Sequence, residues 1–186
     1  TATSEILRVI ASSPSDLASV LTAIADSATR LCEADHGAVA QADDGLMRIT
    51  ASTSPQTLGR TVPLDRTSVF GTAMLEGRTI SVPDIEAVSD EYPLALQRAR
   101  ADGWRSDACA PLIQGSEVVG AIAMYRAEVG PFPEDQLRLL ETFANQAVVA
   151  IENARLFQEL QDRVGELQAL GEVGQAVSSS LDLERV

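Results

Sequence analysis

The sequence predicts an α+β fold with a central antiparallel sheet of five to six strands. Long helices from the two ends of the chain cover one face, two short helices cover the other, and a C-terminal helix runs on beyond the body. Three observations carry this reading. Apolar residues recur at steps of three and four from Leu137 through Leu140, Phe143, Ala144, Ala147, Val148, Ile151 and Ala154, the period of one buried helical face. Two pairs of strand-like segments meet at the turn residues Asp43-Asp44-Gly45 and Gln114-Gly115-Ser116, as hairpins do. Val118 to Tyr125 is apolar on both strand faces, so it belongs at the sheet centre with both faces covered.

Thr3 to Ala11 reads as the end of an amphipathic helix, broken at Ser12-Ser13-Pro14-Ser15. Asp16 to Glu33 follows as a helix with Leu17, Val20, Leu21, Ile24, Ala28 and Leu31 on one face. Gly37 to Gln41 and Leu46 to Ser52 form the first strand pair, and Ser54 to Asp65, with two prolines and a glycine, is expected to be irregular. The next segment, Ser68 to Glu76, suits a short helix with Thr67 or Ser68 as N-cap and Gly77 as its left-handed stop. Thr79 to Val82 is a strand ended by Pro83, and Asp90 to Ala101 a helix closed by Asp102-Gly103. Arg105 to Ile113 and Glu117 to Ala127 make the second strand pair.

The stripe of the last helix continues past the body through Leu156, Phe157, Leu160, Val164, Leu167 and Leu170, with charged and amide residues on its back. Leu156, Leu160, Val164 and Leu167 form a narrow seam suited to a partner helix. Gly165, Gly171 and Gly174 each weaken a helix by about 1 kcal/mol relative to Ala, and fraying or a break is expected near Gly171. The divisions expected are an N-terminal helix or linker (1–15), a globular domain (16–151) and a coiled-coil helix (152–175). Residues 176–186 are expected to open a second, similar domain, because Ser12, Ser13, Asp16, Leu17 and Val20 recur as Ser178, Ser179, Asp182, Leu183 and Val186. A chain that starts at Thr1 without Met and stops in mid-pattern is expected to be a piece of a longer protein.

The chain has 14 basic and 27 acidic residues, a net charge of −13. That balance repels nucleic acid and anionic membrane alike, and no apolar run is long enough to cross a bilayer. A cytoplasmic location is expected, since Cys32 and Cys109 show no CxxC spacing and suit buried thiols in a reducing compartment. All the basic residues are arginine, which removes Schiff-base lysines and the P-loop lysine from consideration.

Several stretches together resemble the GAF domain family over roughly Asp16 to Ile151. They are Leu31-Cys32-Glu33-Ala34-Asp35 before the first strand, Gly71-Thr72-Ala73 ahead of Gly77-Arg78-Thr79-Ile80, and Val82-Pro83-Asp84-Ile85. Ala110-Pro111-Leu112, Gly120-Ala121-Ile122 and Phe132 with Glu134-Asp135 continue the series. Ala147 to Leu156 looks like the exit helix of GAF domains in bacterial sensor kinases and nucleotide cyclases. Pro133 departs from the pattern, standing where many relatives carry a capping Ser or Thr, so that helix start must be capped otherwise.

The resemblance implies a small-molecule pocket between the sheet and the two middle helices. The candidates to line it are Phe70 and Met74 on the first of those helices, Val82 and Asp84 after it, and Tyr92 and Leu96 on the second. Trp104, Ser106, Ala108 and Met124 are the candidates from the strands and their approach. The same residues would fill the core of a ligand-free domain. Specific cofactors are disfavoured: without lysine the chain cannot complete the Asn-Lys…Phe…Asp-Glu signature of cyclic-nucleotide GAF domains. Neither cysteine has the neighbouring histidine expected for bilin attachment, and His36 stands alone against haem or iron. Asp84, Glu86, Asp90 and Glu91 lack metal-ligand spacing and read as a solvated acidic loop.

The function expected is a non-catalytic sensory or regulatory domain of a bacterial signalling protein of the two-component or cyclase type. It is expected to dimerise through its terminal helices and pass a state change to a downstream output domain in the same chain. One alternative is a ligand-free dimerisation spacer. Another is an enzyme of the free methionine sulfoxide reductase type, which needs one thiol to attack and a second to resolve.

Overall fold

The structure, a computed structural model, describes residues 17–183, with side chains described through Leu170. The expected N-terminal helix lies outside the described residues, as do Ser12, Ser13 and Asp16 of the first copy of the short repeat, whereas its Leu17 and Val20 lie on the first helix. Helix α1 spans Leu17–Leu31 and leads into β1 (His36–Asp43) and β2 (Leu46–Ser52), joined at Asp44-Gly45, both at positive φ. Strand β3 (Thr61–Pro63) precedes helix α2 (Val69–Glu76) and strand β4 (Ile80–Val82). A 3-10 turn (Ile85–Val88), helix α3 (Pro93–Asp102), strands β5 (Ser106–Gln114) and β6 (Glu117–Arg126) and helix α4 (Glu134–Leu183) complete the chain.

The six strands form one antiparallel sheet in the order β3-β2-β1-β6-β5-β4. The doubly apolar β6 lies between β1 and β5, as its composition requires. Each face has its own core. On one, Leu21, Ile24 and Ala28 of α1 and Leu140, Phe143 and Ala147 of α4 pack on Val39, Ala108, Leu112, Ile122 and Met124. The other face is covered by Val69, Phe70 and Met74 of α2 and Ala95 and Ala99 of α3, lying on Ala40, Ile49, Cys109 and Ala123. The α+β architecture with terminal helices on one side and middle helices on the other is therefore as expected.

Three local expectations are corrected. Within the supposedly irregular 54–65 segment, Thr61–Pro63 pairs with Leu46–Arg48 as an edge strand. Its three residues carry no periodicity to read, and Pro63 is tolerated because an edge strand needs donors on one side only. Helix α3 begins at Pro93, later than Asp90, after the separate 3-10 turn. A proline opens a helix well because its missing N–H would be unpaired there, and Thr67 O accepts from the N–H groups of Leu94 and Ala95 in place of a side-chain cap. Helix α4 does not break near Gly171 but continues for 50 residues to Leu183, so the second repeat copy lies on it up to that residue. Isolated glycines weaken a helix without blocking a hydrogen bond as proline does.

The start of α4 also answers the question raised by Pro133. Its carbonyl accepts from Leu137 N at 3.0 Å, and Glu134 and Asp135 place negative charge in the first turn, where it complements the helix dipole. Arg126 ties this end to α1, donating to the carbonyls of Cys32 and Glu33 and to Gln136 while stacking 4.0 Å from the Phe132 ring centroid.

Candidate functional site

A cavity of about 150 Å³ opens between the sheet and the two middle helices. Its floor is built by strand register. His36 pairs with Tyr125 and Tyr125 with Asp107, so residues of β1, β6 and β5 stand side by side on one face at one end of the sheet. Neighbours in such a row lie about 5 Å apart. Phe70 and Ser68 enter from the start of α2, and Leu94, Ala95 and Arg98 from α3. The β2–β3 connection supplies Ser54, Gln56 and Thr57.

Two local arrangements hold these walls. Ser68 caps α2, its Oγ accepting from Gly71 N at 3.1 Å, while the Thr67 carbonyl beside it holds α3. Arg60 donates to both carboxylate oxygens of Asp102, at 2.9 and 3.4 Å, which ties the β2–β3 connection to the end of α3. Both residues line the cavity, and two-point pairing of this kind fixes geometry as well as charge.

Of the ten pocket candidates read from the sequence, Phe70 and Trp104 line the cavity. Met74, Val82, Tyr92 and Leu96 belong to the same apolar layer without reaching the cavity, filling the space between α2, α3 and β4. Asp84 is engaged elsewhere: Arg105 donates to it at 2.8 and 2.9 Å, and it caps the 3-10 turn through Glu86 N. The Arg105 hydrogen bonds hold its carboxyl below the ordinary aspartate value.

Ala108 and Met124 are corrections, since both pack under α1 and α4 on the opposite face. Ser106 shares that face by the two-residue alternation of a strand, fully buried with its hydroxyl unpaired. The pocket side of β5 belongs instead to Asp107.

Asp107 is the residue the sequence reading missed. It is 2 % exposed, lines the cavity, and its Oδ1 has no hydrogen-bond partner. Burial pushes its carboxyl well above the ordinary aspartate value. The hydroxyl of Tyr125 beside it is also pushed up, first by burial and then by the Asp107 charge. The signal was present in the sequence, where one acid interrupts the otherwise apolar pocket-facing register of a strand. Tyr125, His36, Arg60 and Arg98 were likewise not among the candidates, because loop closure and strand register bring them in from distant positions.

Cys32 and Cys109 are both fully buried, and they lie in the cores on opposite faces of the sheet. Burial raises the Cys32 thiol to about 11 and holds Cys109 well above its ordinary value, with Asp107 adding to the latter. Thiols so placed are poor nucleophiles. Ellman's reagent is expected to leave both unmodified in the native domain and to titrate both once it is unfolded; rapid native labelling of either would contradict the burial described. Among the described residues no group of three or more His, Cys, Asp or Glu is placed to hold a metal ion, and no helix is long and apolar enough to cross a membrane.

The profile of the GAF domain family matches residues 14–152, and the chain belongs to this family, whose fold is generally regulatory or sensory. Solved structures agree in fold. The GAF domain of a phosphoenolpyruvate-protein phosphotransferase from Acinetobacter has 17% identity and a TM-score of 0.70, covering 83% of this chain and 93% of that one. Residues 122 to 287 of a methyl-accepting chemotaxis protein have 19% identity and a TM-score of 0.69, covering 84% and 98%. A free methionine-R-sulfoxide reductase from Neisseria meningitidis, solved in complex with its substrate, has 20% identity and a TM-score of 0.68, covering 81% and 86%. No curated protein matches the chain in sequence.

Proposed function

We propose that this chain is a non-catalytic sensory or regulatory domain of a cytoplasmic, multidomain bacterial signalling protein. A small molecule in the cavity alters the packing of α2 and α3 on the sheet, and the change passes through the sheet to α4. The observation that carries this reading is the double character of that helix. Leu140, Phe143, Ala144 and Ala147 are locked into the core, while Leu156, Leu160, Val164 and Leu167 are 45–68 % exposed on the same helix. At 1.5 Å per residue its 50 residues extend roughly 75 Å, so one rigid element joins the domain to whatever follows.

In this reading the exposed leucine and valine side chains are partnered by the same helix of a second copy, which would couple two domains to two output modules. The solvated back is already self-supporting, with Arg155 paired to Glu159 at 2.9 Å and Gln158 bonded to Asp162 at 2.9 Å, each one turn apart. The buried thiols disfavour the reductase alternative, which needs an accessible attacking and resolving pair.

Sedimentation velocity on wild type and on Leu160→Glu with Leu167→Glu tests the helical pairing. The wild type is expected to sediment as a dimer and the double variant as a folded monomer, a shift of about tenfold or more in dissociation constant, since a charge at each seam position is buried without a partner. An unchanged dimer would place the contact elsewhere. Native mass spectrometry of protein taken directly from cells tests the sensory half, with an extra mass lost on denaturation expected; bare subunits would favour the ligand-free spacer.

A further inference from the structure

Asp107 presents an energetic problem. A carboxyl removed from water without a hydrogen-bond partner is destabilising, and buried polar groups are otherwise nearly always satisfied. The elements packed around it carry little to offset it. Tyr125 faces it from β6 with His36 beyond on β1, Cys109 shares its strand, and α3 brings Arg98 and Asp102 near Tyr125. None of these groups donates a hydrogen bond to its Oδ1. Asp102 is already paired with Arg60.

The remaining walls of the cavity have a definite chemistry. Phe70, Trp104 and Tyr125 all line it. The Tyr125 ring lies 4.8 Å from Trp104 and 6.5 Å from Phe70 between centroids, tilted by 40° and 51°. Rings so arranged turn faces and edges in several directions, and ring faces attract cations. A cavity of about 150 Å³ holds a body of benzene size. For a metal ion, no group of three or more His, Cys, Asp or Glu is gathered there among the described residues.

We propose that the cavity binds a small organic cation, a quaternary ammonium or amidinium, with its charged end against the Asp107 carboxylate and the Phe70, Trp104 and Tyr125 rings. This rests on the reading of the cavity as the sensory site and assigns the class of ligand it takes. The partly exposed Arg98 sets the polarity: the positive end lies inward at Asp107, and any polar or anionic tail points toward α3 and solvent. The net charge of −13 favours the approach of cations over anions. Burial disfavours the charged form of this carboxyl, so affinity for a cation rises as pH rises through its titration.

Isothermal titration and thermal shift with choline, tetramethylammonium and benzamidinium test the assignment. The control is the neutral isostere of choline, in which a tert-butyl group replaces the trimethylammonium. At least one cation is expected to bind the wild type with a dissociation constant of about 1 mM or tighter. The neutral isostere should bind at least about tenfold more weakly, and Asp107→Asn should abolish that preference. Phe70→Leu, which keeps the volume apolar, should weaken the cations more than the isostere. Equal binding of choline and its isostere, indifferent to Asp107→Asn, would overturn the inference and leave the sensory reading intact. So would a neutral or anionic molecule carried from cells, or failure of all three cations to bind. If in addition neither the isostere nor inorganic phosphate binds and nothing is carried from cells, the sensory reading falls as well.

Discussion

Asp107→Asn is expected to stabilise the domain by about 2 kcal/mol near pH 7, raising its midpoint by roughly 4–8 °C, and to change nothing near pH 3. Burial raises the folded-state pKa of this carboxyl above its ordinary 3.8. Well below that value both the folded and the unfolded chain carry the proton, so the group has no effect on the balance. As pH climbs through about 4 the unfolded chain ionises freely while the buried group retains its proton. Stability is then lost at about 1.4 kcal/mol per pH unit until the folded pKa is reached. Asparagine does not titrate, so the difference between the two proteins opens across that window. Thermal melts of both from about pH 3 to pH 8 check this. Parallel curves would mean that the carboxylate is already compensated in the unliganded domain. A saturating cation should reverse the order of the two proteins near pH 7, because the wild type then gains a partner that the variant cannot use.

Gly71→Ala is expected to destabilise the domain by about 3 kcal/mol or more and lower its midpoint by roughly 6–12 °C. A Cβ at position 71 would lie 1.8 Å from the carbonyl oxygen of Asp65, and backbone on both sides leaves nothing flexible to give way. Asp65 is itself held in place, accepting from both the backbone and the hydroxyl of Thr67. Because Thr67 O holds the start of α3 and Ser68 caps α2, the shift would reach both helices that wall the cavity. Ligand affinity should therefore fall along with stability. Gly165→Ala is the matched control: nothing lies within 4 Å of the added methyl, and it should stabilise α4 by up to about 1 kcal/mol. Similar melts for Gly71→Ala and wild type would mean that the chain around Asp65 yields far more easily than its bonding suggests.

The two substitutions also separate two kinds of glycine. The Gly71-Thr72-Ala73 stretch is part of the family resemblance, and the close approach of α2 to the chain at Asp65 explains why a side chain is excluded there. Gly165 on the exposed helix shows no such constraint, so it acts on α4 through helix propensity alone. A glycine deprives a helix of about 1 kcal/mol, whereas cooperative hydrogen bonding through neighbouring helix formers carries the structure past it.

The sequence by itself determined the sheet, its central strand, the two layers of helices and the double character of α4. Each of those is written in local periodicity, which depends only on which side of an element meets apolar surroundings. Caps were legible too, as Ser68 and Gly77 bound α2 where their side-chain oxygen and free φ require. The cavity was legible only in its location. Which face of β5 meets it was decided by register: Asp107 lies opposite Tyr125 on the pocket side, whereas Ala108 and Met124 turn beneath the terminal helices. One residue of phase exchanges the two sets, and in strands apolar on both faces composition cannot fix that phase. The row of His36, Tyr125 and Asp107, and the Arg60–Asp102 tie in the cavity wall, join residues far apart in the chain. Only closure of the sheet and its covering helices brings them to one site.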